Sequence, residues 1–130
     1  MNYGFRTTIK GPFDAAVQRV LETLKAEGFG VLSDIDIQKA MKEKLGKDVP
    51  PHRILGACNP PLAYKALQAE ADIGLLLPCN VTVRQGDGDD IVVGFLNPDM
   101  MVQLTANPVL KEVADDASAR LHRVSDALQG

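Results

Sequence analysis

Hydrophobic residues recur along this chain at two spacings, and the two spacings alternate from the N-terminus onward. Residues 3–10 carry Tyr, Phe, Thr and Ile at every second position, which is the period of a β-strand. After Gly11-Pro12, apolar side chains recur every third or fourth residue from Phe13 to Leu24, and Gly28 follows. This second pattern predicts an amphipathic helix of about four turns.

The middle of the chain repeats this alternation. A strand-like pattern covers Gly30 to Ile35, and a helical pattern follows from Ile37 to Leu45, with Asp34 or Asp36 as its cap and Gly46 at its end. Residues 53–58 predict another strand. Asn59-Pro60 then has the form of a helix N-cap followed by proline at the first helical position.

A long apolar stretch begins at residue 75. Residues 75–83 predict the strongest strand, in which Pro78 should force a bulge or an edge position. The turn at residues 85–89 precedes a returning strand at residues 91–95. Asn97-Pro98 and Asn107-Pro108 repeat the cap signal, each opening a helix, and the last helix extends over residues 110–128. We therefore expect a single α+β domain over residues 1–130, with a mixed or antiparallel sheet of four or five strands and helices packed on it.

Charge and hydropathy narrow the classes of partner. The 14 Lys and Arg residues are interleaved with 17 Asp and Glu, for a net charge of −3. A nucleic-acid or anionic membrane surface calls for a basic cluster instead, so neither partner is expected. No segment reaches the ~18 apolar residues of a membrane span, and the N-terminus does not resemble a signal peptide. These features predict a cytoplasmic protein with reduced thiols.

The only two cysteines lie in near-matching tripeptides, Cys58-Asn59-Pro60 and Pro78-Cys79-Asn80. If Asn59 caps a helix, the helix dipole favours the thiolate of Cys58 and makes it a candidate nucleophile. Against this, Pro60 and Pro61 remove two backbone donors, and a cysteine at a strand end is commonly a small buried hydrophobe. Both interpretations stay open here.

The second cysteine fits a core position better. Strand alternation places Cys79 on the apolar face of its strand, where burial raises the pKa of a thiol, although a bulge at Pro78 could turn it away. The two thiols together could form a redox pair or half of a soft-metal site. The residues between them hold no histidine and no third cysteine, so no metal site is expected.

The histidines and the acidic cluster are weaker candidates for a catalytic or metal-binding site. His52 lies six residues from Cys58, about 20 Å along a straight strand, so the two cannot pair directly. His122 falls beside the apolar stripe of the last helix and should be exposed. Asp87, Asp89 and Asp90 have part of a calcium-loop spacing, but a hairpin turn explains them better.

Two segments of the sequence resemble a known family. Residues 54–60, Ile-Leu-Gly-Ala-Cys-Asn-Pro, and residues 76–83, Leu-Leu-Pro-Cys-Asn-Val-Thr-Val, are similar to the two motifs of domain of unknown function 302, a mostly bacterial family. The resemblance extends over nearly the whole chain. It implies a compact α+β fold and a homodimer, and it implies no activity. Its most recognisable positions are Cys58, Asn59, Pro60, Pro78 and Cys79.

These observations favour a non-enzymatic, homodimeric binding module. We expect its site, for a small ligand or a partner protein, near Cys58, Asn59, Cys79 and Asn80, with no cofactor and no metal. The alternative is a thiol-dependent redox protein or enzyme that uses Cys58, with Asn59 orienting the site.

Overall fold

The computed structural model describes all 130 residues. The strands are β1 (Gly4–Lys10), β2 (Gly30–Asp36), β3 (His52–Cys58), β4 (Cys79–Gln85) and β5 (Asp90–Leu96). The α-helices are α1 (Phe13–Ala26), α2 (Ile37–Leu45), α3 (Pro60–Ala69), α4 (Met100–Thr105) and α5 (Lys111–Gln129). Two short 3-10 helices, Ala71–Leu76 and Pro108–Leu110, follow α3 and α4.

All five strands form one sheet in the order β1-β5-β4-β3-β2. Every neighbouring pair is antiparallel, so the expected α+β fold is confirmed and the mixed-sheet alternative is excluded. β4 is the central strand, and β1 and β2 are the edges.

One face of the sheet carries the main core. Alternate residues of β4 and β5 are buried, and the residues between them are half-buried or exposed. Helices α1 and α5 cover the buried face with Val17, Val20, Leu24, Leu121, Val124 and Leu128. Each fully buried Val or Leu contributes roughly 1.5–3 kcal/mol, so this layer fixes the sheet against the two helices.

A second apolar cluster adjoins the main core. It is built from α3, the two 3-10 helices, α4 and the first half of α5, and it contains Leu62, Ala66, Ile73, Met101, Leu110, Val113, Ala114 and Ala117. The residues of the candidate site lie between these two clusters.

The sequence prediction was wrong at the start of β4. Residues 75–78 are not strand: Leu75 and Leu76 end the first 3-10 helix, Leu75 is 88 % exposed, and β4 begins only at Cys79. Pro78 therefore precedes the strand and creates neither a bulge nor an edge. The bulge of this sheet lies in β2, between Val31 and Ser33.

The predicted caps are largely confirmed. Asp36 caps α2 by accepting from the Lys39 N–H at 3.0 Å, and Gly46 ends that helix in the left-handed region. Asn59 caps α3. Asn107 caps the second 3-10 helix, which leads directly into α5. At Asn97-Pro98 the predicted helix start is wrong by two residues, because α4 begins at Met100 and not at Pro98.

Candidate functional site

The two cysteine motifs lie side by side, because one is at the C-terminal end of β3 and the other is at the N-terminal end of the neighbouring strand β4. Ala57 is the register partner of Cys79, so Cys58 lies one residue beyond that pair. Chain direction changes at both places: β3 leads into α3, and the first 3-10 helix leads into β4. Neighbouring antiparallel strands thus place two segments about twenty residues apart in sequence beside one another.

A cavity of about 320 Å³ lies at this junction. Sixteen residues line it, of which thirteen are hydrophobic, and Cys58, Asn59 and Cys79 are among them. The remaining lining residues are Phe29, Leu32, Ala57, Leu62, Ala63, Ala66, Leu67, Gly74, Leu77, Pro78, Met101, Val113 and Ala117. Leu32 and Leu67 are 73 % and 44 % exposed, which places them at the opening of the cavity to solvent.

No charged side chain lines this cavity, and neither histidine does. His52 lies at the far end of β3, opposite Arg84. His122 is exposed on α5, as expected, and its ring stacks on Phe5 with 4.0 Å between centroids. The thiols therefore have no general base beside them.

The two thiols differ in burial. Cys79 is buried and Cys58 is half-buried, and neither forms a disulfide. Burial raises the pKa of the Cys79 thiol to about 11, and the charge of the neighbouring Cys58 adds to the rise. Cys79 is thus a neutral, apolar part of the wall at neutral pH, in agreement with the core position predicted for it.

Asn59 has the only side-chain amide among the residues that line the cavity. It is 8 % exposed, and its Oδ1 accepts a hydrogen bond from the Leu62 N–H at 3.2 Å. The Ala63 N–H donates to the Asn59 backbone carbonyl at 2.9 Å, while Pro60 and Pro61 have no N–H. The first turn of α3 therefore has no free backbone donor for an anion.

Asn80 does not share this site. It follows Cys79 on β4 and is exposed on the opposite face of the sheet, where it lies near Thr82 and Gly94. The structure thus brings together three of the four predicted residues, Cys58, Asn59 and Cys79, and separates the fourth.

Most of the cavity wall was not predicted as a site. Leu32 reaches the opening because it is the extra residue of the β2 bulge, and Met101, Val113 and Ala117 come from helices far along the chain. Met101 belongs to the second apolar cluster. In the sequence, the helical residues among them were marked only by apolar periodicity, which does not distinguish the wall of a cavity from an ordinary core.

The other sequence candidates do not form a competing site. Asp87 and Asp89 lie in the β4–β5 hairpin turn and Asp90 begins β5, as the hairpin interpretation predicted; Lys10 pairs with Asp89 and Asp90. No group of three or more potential metal ligands is present. No helix combines the length and hydropathy that crossing a membrane requires.

Comparison with known proteins identifies a family for this chain but names no activity. A family model described as "Domain of unknown function DUF302" matches residues 5–128. The chain is also similar to the crystal structure of an "uncharacterized conserved protein DUF302 from Bacillus stearothermophilus", with 33 % sequence identity and a TM-score of 0.88. That similarity covers 97 % of this chain and 98 % of the other. Among curated proteins, none matches.

Proposed function

Because the chain belongs to the DUF302 family, whose description names no activity, we propose a function from its own geometry: it is a non-enzymatic module that binds a small, mainly apolar molecule beside Cys58 and Cys79. The observation that carries this proposal is the cavity of about 320 Å³, with thirteen hydrophobic residues among its sixteen and no charge. Ligand sites are typically apolar concavities of about 300–1,000 Å³ with a few placed polar groups.

The size of the cavity indicates the size of the ligand. A dry cavity of roughly 150 Å³ accepts benzene, so about 320 Å³ suits a bicyclic aromatic ring system or a short branched chain. Burying about 250 Å² of apolar ligand surface would contribute about 6 kcal/mol before the entropy of association is subtracted. We expect dissociation constants in the micromolar range or weaker for an unoptimised probe.

A fluorescence titration tests this proposal. The neutral fluorescent ketone Prodan should bind with a blue-shifted emission, which reports transfer to an apolar site. Ala63→Leu adds three carbons at a half-buried lining position of α3 and should weaken binding at least tenfold without lowering stability. Ala69→Leu makes the same change on the same helix outside the cavity and should leave binding unchanged.

The outcomes separate binding in the cavity from binding elsewhere. If the two leucine variants bind Prodan equally well, the probe lies outside the cavity and the proposal loses its main support. If the wild-type protein does not bind the probe at all, the cavity does not accept a neutral bicyclic ligand and the proposal fails.

Thiol chemistry at Cys58 is the second candidate. Its support is the half-buried position of Cys58 in the cavity wall, directly before the cap of α3. The absence of a histidine or a carboxylate from the lining weighs against it, since a nucleophilic thiol ordinarily has an activating partner. Cys58→Ala should therefore leave probe binding within about twofold, whereas a thiol-dependent protein would lose its activity.

We also propose a second copy of the chain as the protein's partner, and the cytoplasm as its location. The family resemblance supports the dimer, and the sheet face opposite α1 and α5 offers a surface for it, with Ile35 49 % exposed there. Sedimentation equilibrium tests this directly: a single species of about 14 kDa at micromolar concentration would contradict the dimer.

A further inference from the structure

Three Asn-Pro motifs occur in this chain, and their side-chain amides are used differently. The oxygens act alike: each accepts a hydrogen bond from a backbone N–H two or three residues later. The nitrogens do not. Nδ2 of Asn97 donates to the Asn2 carbonyl at 3.3 Å, and Nδ2 of Asn107 donates to the Ala69 carbonyl at 3.1 Å and to Glu70 at 3.0 Å. Nδ2 of Asn59 donates to no protein atom.

Asn59 is also the most buried of the three and the one that lines the cavity. Its cap bond to Leu62 fixes which end of the amide is oxygen, so the free end is a donor. No fully buried side-chain nitrogen or oxygen in the protein lacks a partner. The unpartnered Nδ2 must therefore be reachable from outside the protein, although the residue as a whole is only 8 % exposed.

The surroundings of this nitrogen favour an acceptor. A Cβ at Gly28 would lie 2.9 Å from Asn59 Nδ2, so this nitrogen borders the open space next to Gly28, beside the cavity residue Phe29. Arg120 Nη1 lies 3.4 Å from the same point, but Arg120 does not line the cavity and is engaged by Asp116 and by the Glu27 carbonyl. No lining residue carries a charge, so an ionised group inside the cavity would have no counter-ion.

We infer that the ligand of the cavity is an uncharged, mainly apolar molecule with one hydrogen-bond acceptor, such as a carbonyl oxygen, which Asn59 Nδ2 binds. This inference rests on the proposed binding function and adds the chemical class of the ligand. Asn59 therefore has two roles: its oxygen holds the start of α3 in place, and its nitrogen orients the bound molecule.

A matched pair of probes isolates the hydrogen bond. Acetylnaphthalene and isopropenylnaphthalene have nearly the same shape, and they differ in a carbonyl oxygen against a methylene group. We expect the ketone to bind wild-type protein roughly threefold to tenfold more tightly than the hydrocarbon, as one neutral hydrogen bond provides. In ¹⁵N NMR spectra, the side-chain NH₂ signal of Asn59 should move downfield with the ketone and much less with the hydrocarbon.

Two variants remove the donor and keep the cap. Asn59→Asp and Asn59→Ser both retain an oxygen that caps α3, and both should abolish the preference for the ketone while still binding the hydrocarbon. The ratio of the two affinities is the readout, so a general loss of stability cancels.

Each outcome decides between the two proposals. Equal affinities in the wild-type protein, or a preference that survives in both variants, would overturn the acceptor inference and leave cavity binding intact. If neither probe binds to the wild-type protein, the proposed function fails together with the inference. The NMR shift of Asn59 is measured on the wild-type protein and does not depend on the folding of any variant.

Discussion

An asparagine-to-serine exchange at two asparagine caps should affect the stability of the protein very unequally. Asn59 and Asn107 both accept a hydrogen bond from a backbone N–H, at 3.2 Å from Leu62 and 3.0 Å from Val109. Serine caps a helix about as well as asparagine, so each Asn→Ser change retains an oxygen that can accept that bond. What each change removes is the pair of N–H donors on Nδ2.

The expected magnitudes follow from what those donors bind. Asn107→Ser removes a bond to the Ala69 carbonyl, worth about 1 kcal/mol, and a charge-assisted bond to Glu70, worth about 1.5–3 kcal/mol. We expect a loss of about 2–4 kcal/mol of unfolding free energy. Asn59→Ser removes no bond from Nδ2 to the protein and buries no charge, so its loss should stay below about 1 kcal/mol.

Urea unfolding at neutral pH, followed by far-ultraviolet circular dichroism, measures both values. Asn59→Ala serves as the control for sensitivity at the first site, since losing the cap should cost about 1 kcal/mol. Equal losses for Asn59→Ser and Asn107→Ser would refute the reasoning. That result would mean that the Asn59 nitrogen has a structural partner, and it would remove the basis for a ligand contact there.

Three further predictions concern the cavity wall and the sheet. Since burial raises the pKa of Cys79 to about 11, from 9.0 for a free thiol, iodoacetamide at pH 8 should leave Cys79 unmodified in folded protein, and modification at the unfolded rate would contradict this. The raised pKa also means that the wild-type protein loses about 2–3 kcal/mol of unfolding free energy between about pH 9 and pH 11, a loss that should shrink in Cys79→Ala. Gly56→Ala should cost about 1–3 kcal/mol in urea unfolding, because a Cβ there would lie 2.7 Å from Pro78 Cγ and collide with the Ser33 hydroxyl; an unchanged midpoint would show that this contact is loose.

The sequence contained enough information for the sheet and its helices, because their burial is periodic. The alternation on β5 and the three- and four-residue spacing on α1 and α5 each describe one buried face, and the structure buries that face. The start of α3 was also predictable, because its signal is local: the Asn59 side chain caps the helical turn that follows it, and Pro60 is the first residue of that turn.

The start of β4 could not be predicted in the same way. Residues 75–77 form a short apolar run, and periodicity alone does not distinguish a buried strand from a helical segment in so few residues. In the structure, Leu76 and Leu77 pack against the second apolar cluster, and Leu75 is turned to solvent. Tertiary contacts with this cluster, which the local sequence does not describe, decide the conformation.

The candidate site was likewise predicted only in part from the sequence. The two cysteine motifs marked the place, but Asn80 was included although strand alternation puts it on the face opposite Cys79. The cavity itself was beyond sequence reasoning, since its wall joins β2, β3, β4, α3, α4 and α5 through contacts between distant segments. Leu32 faces its opening only because of a bulge that leaves no mark in the residue pattern.

The most direct test of the account is a crystal structure of the wild-type protein soaked with acetylnaphthalene. The account predicts that the rings lie in the cavity between Leu62, Met101 and Val113, with the carbonyl oxygen within hydrogen-bond distance of Asn59 Nδ2. Rings bound only on the outer face of the sheet, or a cavity that stays empty when the probe is saturating, would contradict it.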